Sequence, residues 1–298
     1  MITVLLNPAA GTTHAGNLHA HVEQLFQAAG SPARVVSLGS GADAAEAARS
    51  AAEAGAEVVV AGGGDGTVNG VASALVDLAG RQPPLGVLPV GTLNHFAKDL
   101  GIPFDLARAV ETIVAGHAMR IDVGDVNGRV FVNNSSIGIY PDIVVERERL
   151  RHQGYRKWIA FALASVRILR RYRGVIVRIT AGDATKASRT PFLFVGNNEY
   201  QADGIHLGAR ARLDGGRLFA YVAPRLRPRD LPKLVALALV GRARSQHTLE
   251  TFAAVALQVE TPRRRRVRVA VDGEVARMST PLRYRVRPLA LRVIVPAR

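Results

Sequence analysis

Gly62, Gly63, Gly64, Asp65, Gly66 and Thr67 follow one another without a break. They place one carboxylate among bare backbone amides. Glycine at this density lets a chain turn with positive φ and lets a ligand approach closely. Amides exposed in this way attract anions, phosphates above all. A tight turn with no ligand would need only two of these glycines, so the anion reading is the stronger. The loop is neither of two familiar phosphate loops. No Gly-Lys-Ser/Thr triplet occurs. The G-x-G-x-x-G pattern fails because Thr67 or Asn69 stands at the last glycine. A second pair of chemical groups lies near the carboxyl end, where "VDGE" carries Asp272 and Glu274. At the end of an alternating strand "VRVAVDGE" both would project to one face. One could then take a proton while the other holds it or a metal. Taken alone, the same segment reads better as a hairpin turn.

The elements around the glycines explain how they would be held. "AEVVVA" is a continuous β-branched run, the pattern of a buried parallel strand. After the loop, Val68, Val71, Leu75 and Leu78 recur at helical spacing, and Gly80 supplies a stop. The glycines therefore sit between the carboxyl end of a strand and the start of a helix, where open α/β sheets bind ligands. The rest of the first part alternates in the same way. Strands "MITVLLNP", "ARVVSL" and "PLGVLPV" are interleaved with helices "HAGNLHAHVEQLFQAAG", "DAAEAARSAAEAG" (N-capped by Asp43) and "FDLARAVETIVAG". A doubly wound parallel sheet is expected, with the strand ends "NPAAG", "SLGSG", "GGGDGT" and "PVGTLNHF" along one edge. Beyond about residue 120 the pattern changes. Alternating segments, Asn127-Gly128 among them as a hairpin signal, predict an antiparallel sandwich or barrel. Two helical stretches, near 154–172 and 229–241, interrupt it. The boundary is set at 120/121, and a last strand near 289–298 can return to the first domain.

Composition narrows the classes. The 298 residues suit two domains, and 48% hydrophobic content supports sizeable cores. There is no cysteine, which rules out disulfides, zinc–thiolate sites and cysteine nucleophiles. No apolar run approaches the ~20 residues that span a bilayer, and the amino terminus has no signal-peptide pattern. The reading is a cytoplasmic soluble protein. The net charge of +15 is unevenly spread. Residues 1–120 carry −4 and residues 121–298 carry +19. A genome bias accounts for 35 arginines against four lysines, but not for their separation along the chain. A basic half points to nucleic acid or to an anionic membrane. "PRRRRVRV" fits an outer strand facing anionic lipid better than a nucleic-acid patch, because stacking aromatics are scarce at 5%. "ERERLRHQGYRKWIAFALASVRILRRYRG" reads as one amphipathic helix with Trp158 and Phe161 on its apolar side. That side either lines a lipid pocket or membrane surface, or packs on the sandwich behind a solvated basic rim. The eight histidines show no metal-binding motif.

Taken together, "NPAAG", "GGGDGTVNGV", "LPVGTLNHFAKDLGIP", "IDVGDVNGRVFVNNSSIG", "VGNN" and "VDGE" resemble, in order, the diacylglycerol kinase catalytic-domain family. That family includes bacterial lipid kinases and the sphingosine kinases. The resemblance implies ATP-dependent phosphorylation of a lipid hydroxyl. It places nucleotide in a cleft between an α/β domain (1–120) and a β-sandwich lipid-substrate domain (121–288). By position, Gly64, Asp65, Gly66, Thr67, Val68, Asn69 and Gly70 would hold nucleotide, helped by Thr92 and Asn94. The Gly63 amide adds to the cradle, and Asn7 and Ser37 line the same edge. Asp65 would orient the phosphates or a metal-bound water. Asp272 and Glu274 match the segment that carries the general base. Mg²⁺ would come with ATP. The family's structural magnesium meets a departure, because Gly215 stands where its aspartate belongs. Asp214, one residue early, is the remaining ligand for that metal. Implied partners are a lipid alcohol and the inner face of an anionic membrane, with no nucleic acid; a homodimer is compatible. NAD kinase, which shares G-G-D-G-T, is the alternative enzyme, and a catalytically weak lipid-binding member is the alternative outside catalysis.

Overall fold

The computed structural model describes residues 1–8, 15–39, 43–80, 82–172, 174–203, 206–223 and 249–297. The helical stretch expected at 229–241 lies outside them. The chain divides into two compact units, one of residues 1–123 with 287–298 and one of residues 124–286.

The first unit alternates strand and helix: β1 (Ile2–Leu6), α1 (Ala15–Ala28), β2 (Ala33–Ser37), α2 (Ala44–Glu53), β3 (Val58–Gly63), α3 (Asp65–Val76), β4 (Leu85–Pro89), α4 (His95–Asp99) and α5 (Leu106–Ala115). The order β2-β1-β3-β4 is parallel throughout. β1 and β4 are buried at every position, as strands covered on both faces must be. Helix α1 packs on α5 and α2 on α3, so the sheet is doubly wound. Asp43 caps α2 by accepting from the Ala45 amide at 2.8 Å. Gly116 closes α5 in the left-handed region at φ 71°. The chain leaves β1 in opposite directions toward β2 and β3. The switch point of the sheet therefore lies between the ends of β1 and β3, where Asn7 and the glycine loop stand.

Strand β5 (Ala118–Val126) leads into the second unit. There follow β6 (Arg129–Phe131), β7 (Asn134–Gly138), α6 (Ile139–His152), α7 (Lys157–Arg171), β8 (Val175–Ala181), β9 (Ala184–Thr190), β10 (Phe192–Asn197), β11 (Tyr200–Asp203), β12 (His206–Arg210), β13 (Leu218–Val222), β14 (Glu250–Ala254), β15 (Ala256–Glu260), β16 (Arg266–Val271), β17 (Glu274–Ser279) and β18 (Leu282–Ile294). One antiparallel layer runs β14-β13-β10-β7-β16-β17. The other is built on β9-β8-β15 and the start of β18. Ile137, Val195 and Val269 of the first layer share a core with Val177, Leu257 and Tyr284 of the second, which makes the unit a sandwich.

Three expectations are corrected. The single amphipathic helix is two, because Gly154 adopts φ 89° between α6 and α7. "RVRVAVDGEVAR" is a hairpin rather than one strand: Asp272 (φ 45°) and Gly273 (φ 87°) form the two-residue turn between β16 and β17. "LRYRVRP" and "LALRVIVP" are one strand, β18, with Leu289 at φ 49°. That kink is held where the Leu289 amide donates to buried Asp122 at 2.9 Å. The end of β18 runs parallel to β4, with Val293 opposite Leu85.

Candidate functional site

In the first unit the site residues lie along the carboxyl edge of the sheet. The Asn7 amide nitrogen donates to Gly62 O at 2.7 Å, and its side-chain Nδ2 donates to Thr67 Oγ1 at 3.2 Å. Thr67 and Asn69 are buried in the first turns of α3. The N-cap of α3 is Gly64, which has no side chain to close the helix end. The first amides of α3 are thus left to an outside acceptor. Ser37, at the end of β2, is exposed and within 2.8 Å of His19 Nδ1.

Asp65 bridges two loops. Its Oδ2 accepts from the His95 amide at 3.2 Å and its Oδ1 from the Phe96 amide at 3.1 Å. The carboxylate therefore pins the "PVGTLNHF" loop to the "GGGDGT" loop. The second loop is closed by Asn94, whose Nδ2 donates to Pro89 O at 3.1 Å and to Gly91 O at 2.8 Å. Asn94 sits in the left-handed region at φ 49°, which asparagine tolerates better than most residues. The two loops touch through glycines. A Cβ at Gly91 would overlap Gly64 Cα and stand 2.6 Å from Asn94 Oδ1. Thr92 is exposed on the loop. Asn69 Oδ1 and Asn94 Oδ1 are buried without a hydrogen-bond partner among the described residues. Two orphaned acceptors beside bare helix amides suit a ligand with both hydroxyl or amino donors and anionic oxygens, which a nucleotide has.

In the second unit the two candidate carboxylates part company. Glu274 opens β17, is exposed, and pairs with Arg129 Nη2 at 2.6 Å. Asp272 turns inward at the hairpin. Its Oδ2 accepts from Val132 N at 2.7 Å, and its Oδ1 accepts from Asn133 N at 2.9 Å and Asn134 N at 2.8 Å. The shared face expected for this pair is not what the hairpin gives. Burial pushes the Asp272 carboxyl up to about 6, against the pull of the three amides and of Arg210.

Sequence reasoning assigned no role to the group that surrounds Asp272. Buried Arg210 donates through Nη1 to Val132 O (2.7 Å) and Asn197 O (3.0 Å), and through Nη2 to Asn133 Oδ1 (2.8 Å). Tyr200 stacks its ring under the guanidinium, 5.3 Å from Cζ, and its hydroxyl donates to Asn133 O at 3.1 Å. Asn197 Nδ2 adds a bond to Val132 O at 3.1 Å. The "VNN" and "GNN" segments thus form the frame of the carboxylate. Arg210→Met should take the guanidinium donors from Asn197 O and Asn133 Oδ1, leave Val132 O with Asn197 Nδ2 alone, and remove the nearby cation that favours ionised Asp272. A loss of roughly 3–5 kcal/mol is expected, with a fall in Tm of about 10 °C. Thermal and urea unfolding check it, and a change under 1 kcal/mol would contradict this account.

Asp214 is partly exposed and accepts from Arg212 Nε at 3.1 Å. Gly215 donates its amide to Asn198 Oδ1 at 2.7 Å. Among the described residues no three histidine, aspartate or glutamate side chains are grouped as a metal cage would need.

Two domain families match this chain in sequence. The diacylglycerol kinase catalytic domain matches residues 1–126, and the YegS C-terminal NAD kinase beta sandwich-like domain matches residues 136–295. The second family model spans more than half of the chain, which therefore belongs to the family of YegS C-terminal NAD kinase beta sandwich-like domains, with a diacylglycerol kinase catalytic domain matched ahead of it. Among curated relatives, the diacylglycerol kinase of Bacillus subtilis (strain 168) is 41% identical over 131 residues, 44% of this chain and 43% of the relative. That of Staphylococcus saprophyticus is 29% identical over 203 residues, 68% of this chain and 64% of the relative. These matches span less than two thirds of either relative. The crystal structure of a diacylglycerol kinase from Bacillus anthracis str. Sterne shares the fold. It is 21% identical, with a TM-score of 0.72 over 99% of this chain and 96% of that one.

Proposed function

We propose that this chain is an ATP-dependent lipid kinase that transfers the γ-phosphoryl group to the hydroxyl of diacylglycerol or a related lipid alcohol. The observation that carries the reading is Asp272. It is a buried carboxyl, raised toward neutrality, set in the second unit of a chain whose first unit matches a kinase catalytic domain. ATP supplies the phosphoryl group. The amides of Gly63 to Thr67, with Val68, Asn69, Gly70, Thr92 and Asn94, would hold it, and Asn7 and Ser37 border them. Asp65 serves as a positioning residue, because each of its oxygens accepts a backbone amide of the second loop. Of the two carboxylates, Asp272 is the base. Its Oδ1 accepts two amides and its Oδ2 accepts one. One lone pair on Oδ2 therefore remains for the proton of an attacking hydroxyl. Glu274, exposed and ion-paired, supports the strand instead. Magnesium travelling with the phosphates relies mainly on phosphate and water oxygens, so it needs no protein cage. Asp214, held by Arg212, is a poor ligand for a second ion.

The same reading puts the enzyme at an anionic membrane surface. Trp158 is 75% exposed on α7, with Ile159, Phe161 and Val166 exposed beside it. Arg156, Arg170 and Arg171 lie at the ends of that helix. Aromatic and aliphatic side chains rimmed by arginine suit a headgroup region. Among the described residues no helix is long and apolar enough to cross a membrane.

The test is incubation with ATP labelled in the γ-phosphate, Mg²⁺ and a panel of lipid alcohols in anionic micelles, beside Asp272→Asn. Label is expected in a lipid and is expected to be lost in the variant. Label in NAD instead would replace this reading with NAD kinase. No label in either, with nucleotide binding intact, would replace it with a lipid-binding role.

A further inference from the structure

A concavity lies wholly within the sandwich unit, beside the β16–β17 hairpin and the start of α6, with the core residues Ile137, Val175 and Val267 forming its apolar wall. Its volume is about 220 Å³. Arg264, Arg266, Arg268 and Arg277 line it, together with Asp142 and Tyr172. On β16, Val267 and Val269 point into the core, while Arg266 is exposed and Arg268 half-buried on the other face. Arg277 stands directly across from Arg268 in the hairpin. Like charges in directly opposed positions destabilise a strand pair. Asp142 answers one of them, accepting from Arg268 Nη1 at 2.8 Å. Among the described residues, no ion pair or hydrogen bond reaches the guanidinium groups of Arg264, Arg266 or Arg277. Four cations and one anion thus face one small space.

From this we infer that the pocket is a binding site for a phosphate group. Arginine forks match tetrahedral oxyanions bidentately, and an anion between Arg268 and Arg277 would turn their repulsion into attraction. The neighbouring Tyr172 hydroxyl adds a neutral donor, since burial and Asp142 hold it well above its ordinary range and keep its proton on. The volume excludes a whole lipid or nucleotide, because drug-sized ligands fill about 300–1,000 Å³. It admits a phosphate alone, whether free in solution or carried as the headgroup of an anionic phospholipid. The inference stands apart from the kinase reading, since no residue of the Asp272 frame or of the glycine loops takes part.

The test uses the full chain and the double variant R266Q/R277Q, with R149Q/R151Q as a control of equal charge loss on α6. Thermal unfolding is followed in inorganic phosphate against chloride at matched ionic strength. Flotation is measured with vesicles of phosphatidylcholine alone and with phosphatidylglycerol added. Without ligand, R266Q/R277Q should unfold at a temperature equal to or above the wild type, because a repulsion has been removed. A merely structural role for these arginines would lower it. Protection by phosphate that the double variant loses and the control keeps would establish a site for soluble phosphate. If phosphate gives no protection, but phosphatidylglycerol vesicles bind at least tenfold less of the double variant than of the control, the ligand is a lipid headgroup. Equal losses in both variants, or no phosphate and no vesicle effect, would overturn the proposal and leave only diffuse charge. Should the double variant fail to fold, R277Q alone carries the same comparison.

Discussion

Asp272→Asn is expected to lower phosphoryl transfer by about 10²–10⁴-fold, the usual range for loss of a general base. Glu274→Gln, which breaks an exposed pair with Arg129 worth about 0.2–1 kcal/mol, should change it less than tenfold. The comparison separates two carboxylates that stand two residues apart in "VDGE" and that sequence could not rank. A pH profile sharpens the test. The proposed base must be ionised to act, and the Asp272 carboxyl is pushed up to about 6. Wild-type kcat/KM should therefore fall as pH drops through about 6, and the residual activity of Asp272→Asn should lack that limb. Stability moves the other way. The folded chain holds this proton more tightly than the unfolded chain, whose ordinary value is 3.8. The contribution is fully present below pH 3.8 and is lost as pH rises through about 6. From pH 4 to pH 7 this one group should cost the fold on the order of 2–3 kcal/mol. Urea unfolding of wild type and Asp272→Asn across that range reads it directly. Parallel stability profiles would show that Asp272 is ionised throughout and that its burial has no such effect. The opposed trends in activity and stability are those of a group kept for function at some expense to the fold.

The first unit was legible because its information is local. Each strand of "MITVLL", "AEVVVA" and "PLGVLP" is buried on both faces and reads as an apolar run, and each helix shows its own period. The residues proposed to hold nucleotide sit in two contiguous loops, so spacing alone brought Gly62–Thr67 and Gly91–Asn94 to one sheet edge. The contacts of Asp65 were not legible. Its partners are the His95 and Phe96 amides, 30 and 31 residues away, and no residue type marks a backbone donor. In the second unit the frame of Asp272 is assembled from greater distances. Asp272 meets Val132 across 140 residues, and Arg210 meets Asn133 across 77. Nothing in "GARARL" distinguishes Arg210 from 34 other arginines. The two strand errors have opposite causes. Alternation continues through the Asp272-Gly273 turn and hides the hairpin, whereas Pro288 suggests a break in β18 that the Asp122–Leu289 bond bridges. Strand β9, "ATKASRT", is exposed at nearly every position and gives no apolar alternation to find.

Gly91→Ala is expected to abolish nucleotide binding while leaving the fold in place. The added methyl would overlap Gly64 Cα and crowd the Gly64 nitrogen at 3.0 Å, and both are backbone atoms that cannot swing aside. The loops must then separate. Separation pulls the His95 and Phe96 amides from Asp65 and takes Asn94 out of the turn closed by its bonds to Pro89 and Gly91. Near neighbours in this region are loop residues rather than core, so the stability change should stay within roughly 1–3 kcal/mol, as for overpacking. Affinity for ATP should fall by at least ~100-fold, because a misplacement of about 1 Å has that effect on a preorganised site. Asp65→Ala approaches the same state from the other side. It removes the pin but adds no bulk, so a smaller loss, on the order of tenfold, is expected. The order of the two variants is the decisive measurement. If Asp65→Ala is the more damaging in nucleotide binding, the carboxylate contacts the ligand or its metal, and the positioning role assigned here is wrong. If Gly91→Ala is the more damaging, the close contact of two glycine backbones is what shapes the phosphate cradle. The glycines of "GGGDG" and "PVG" are then required by each other as much as by the ligand.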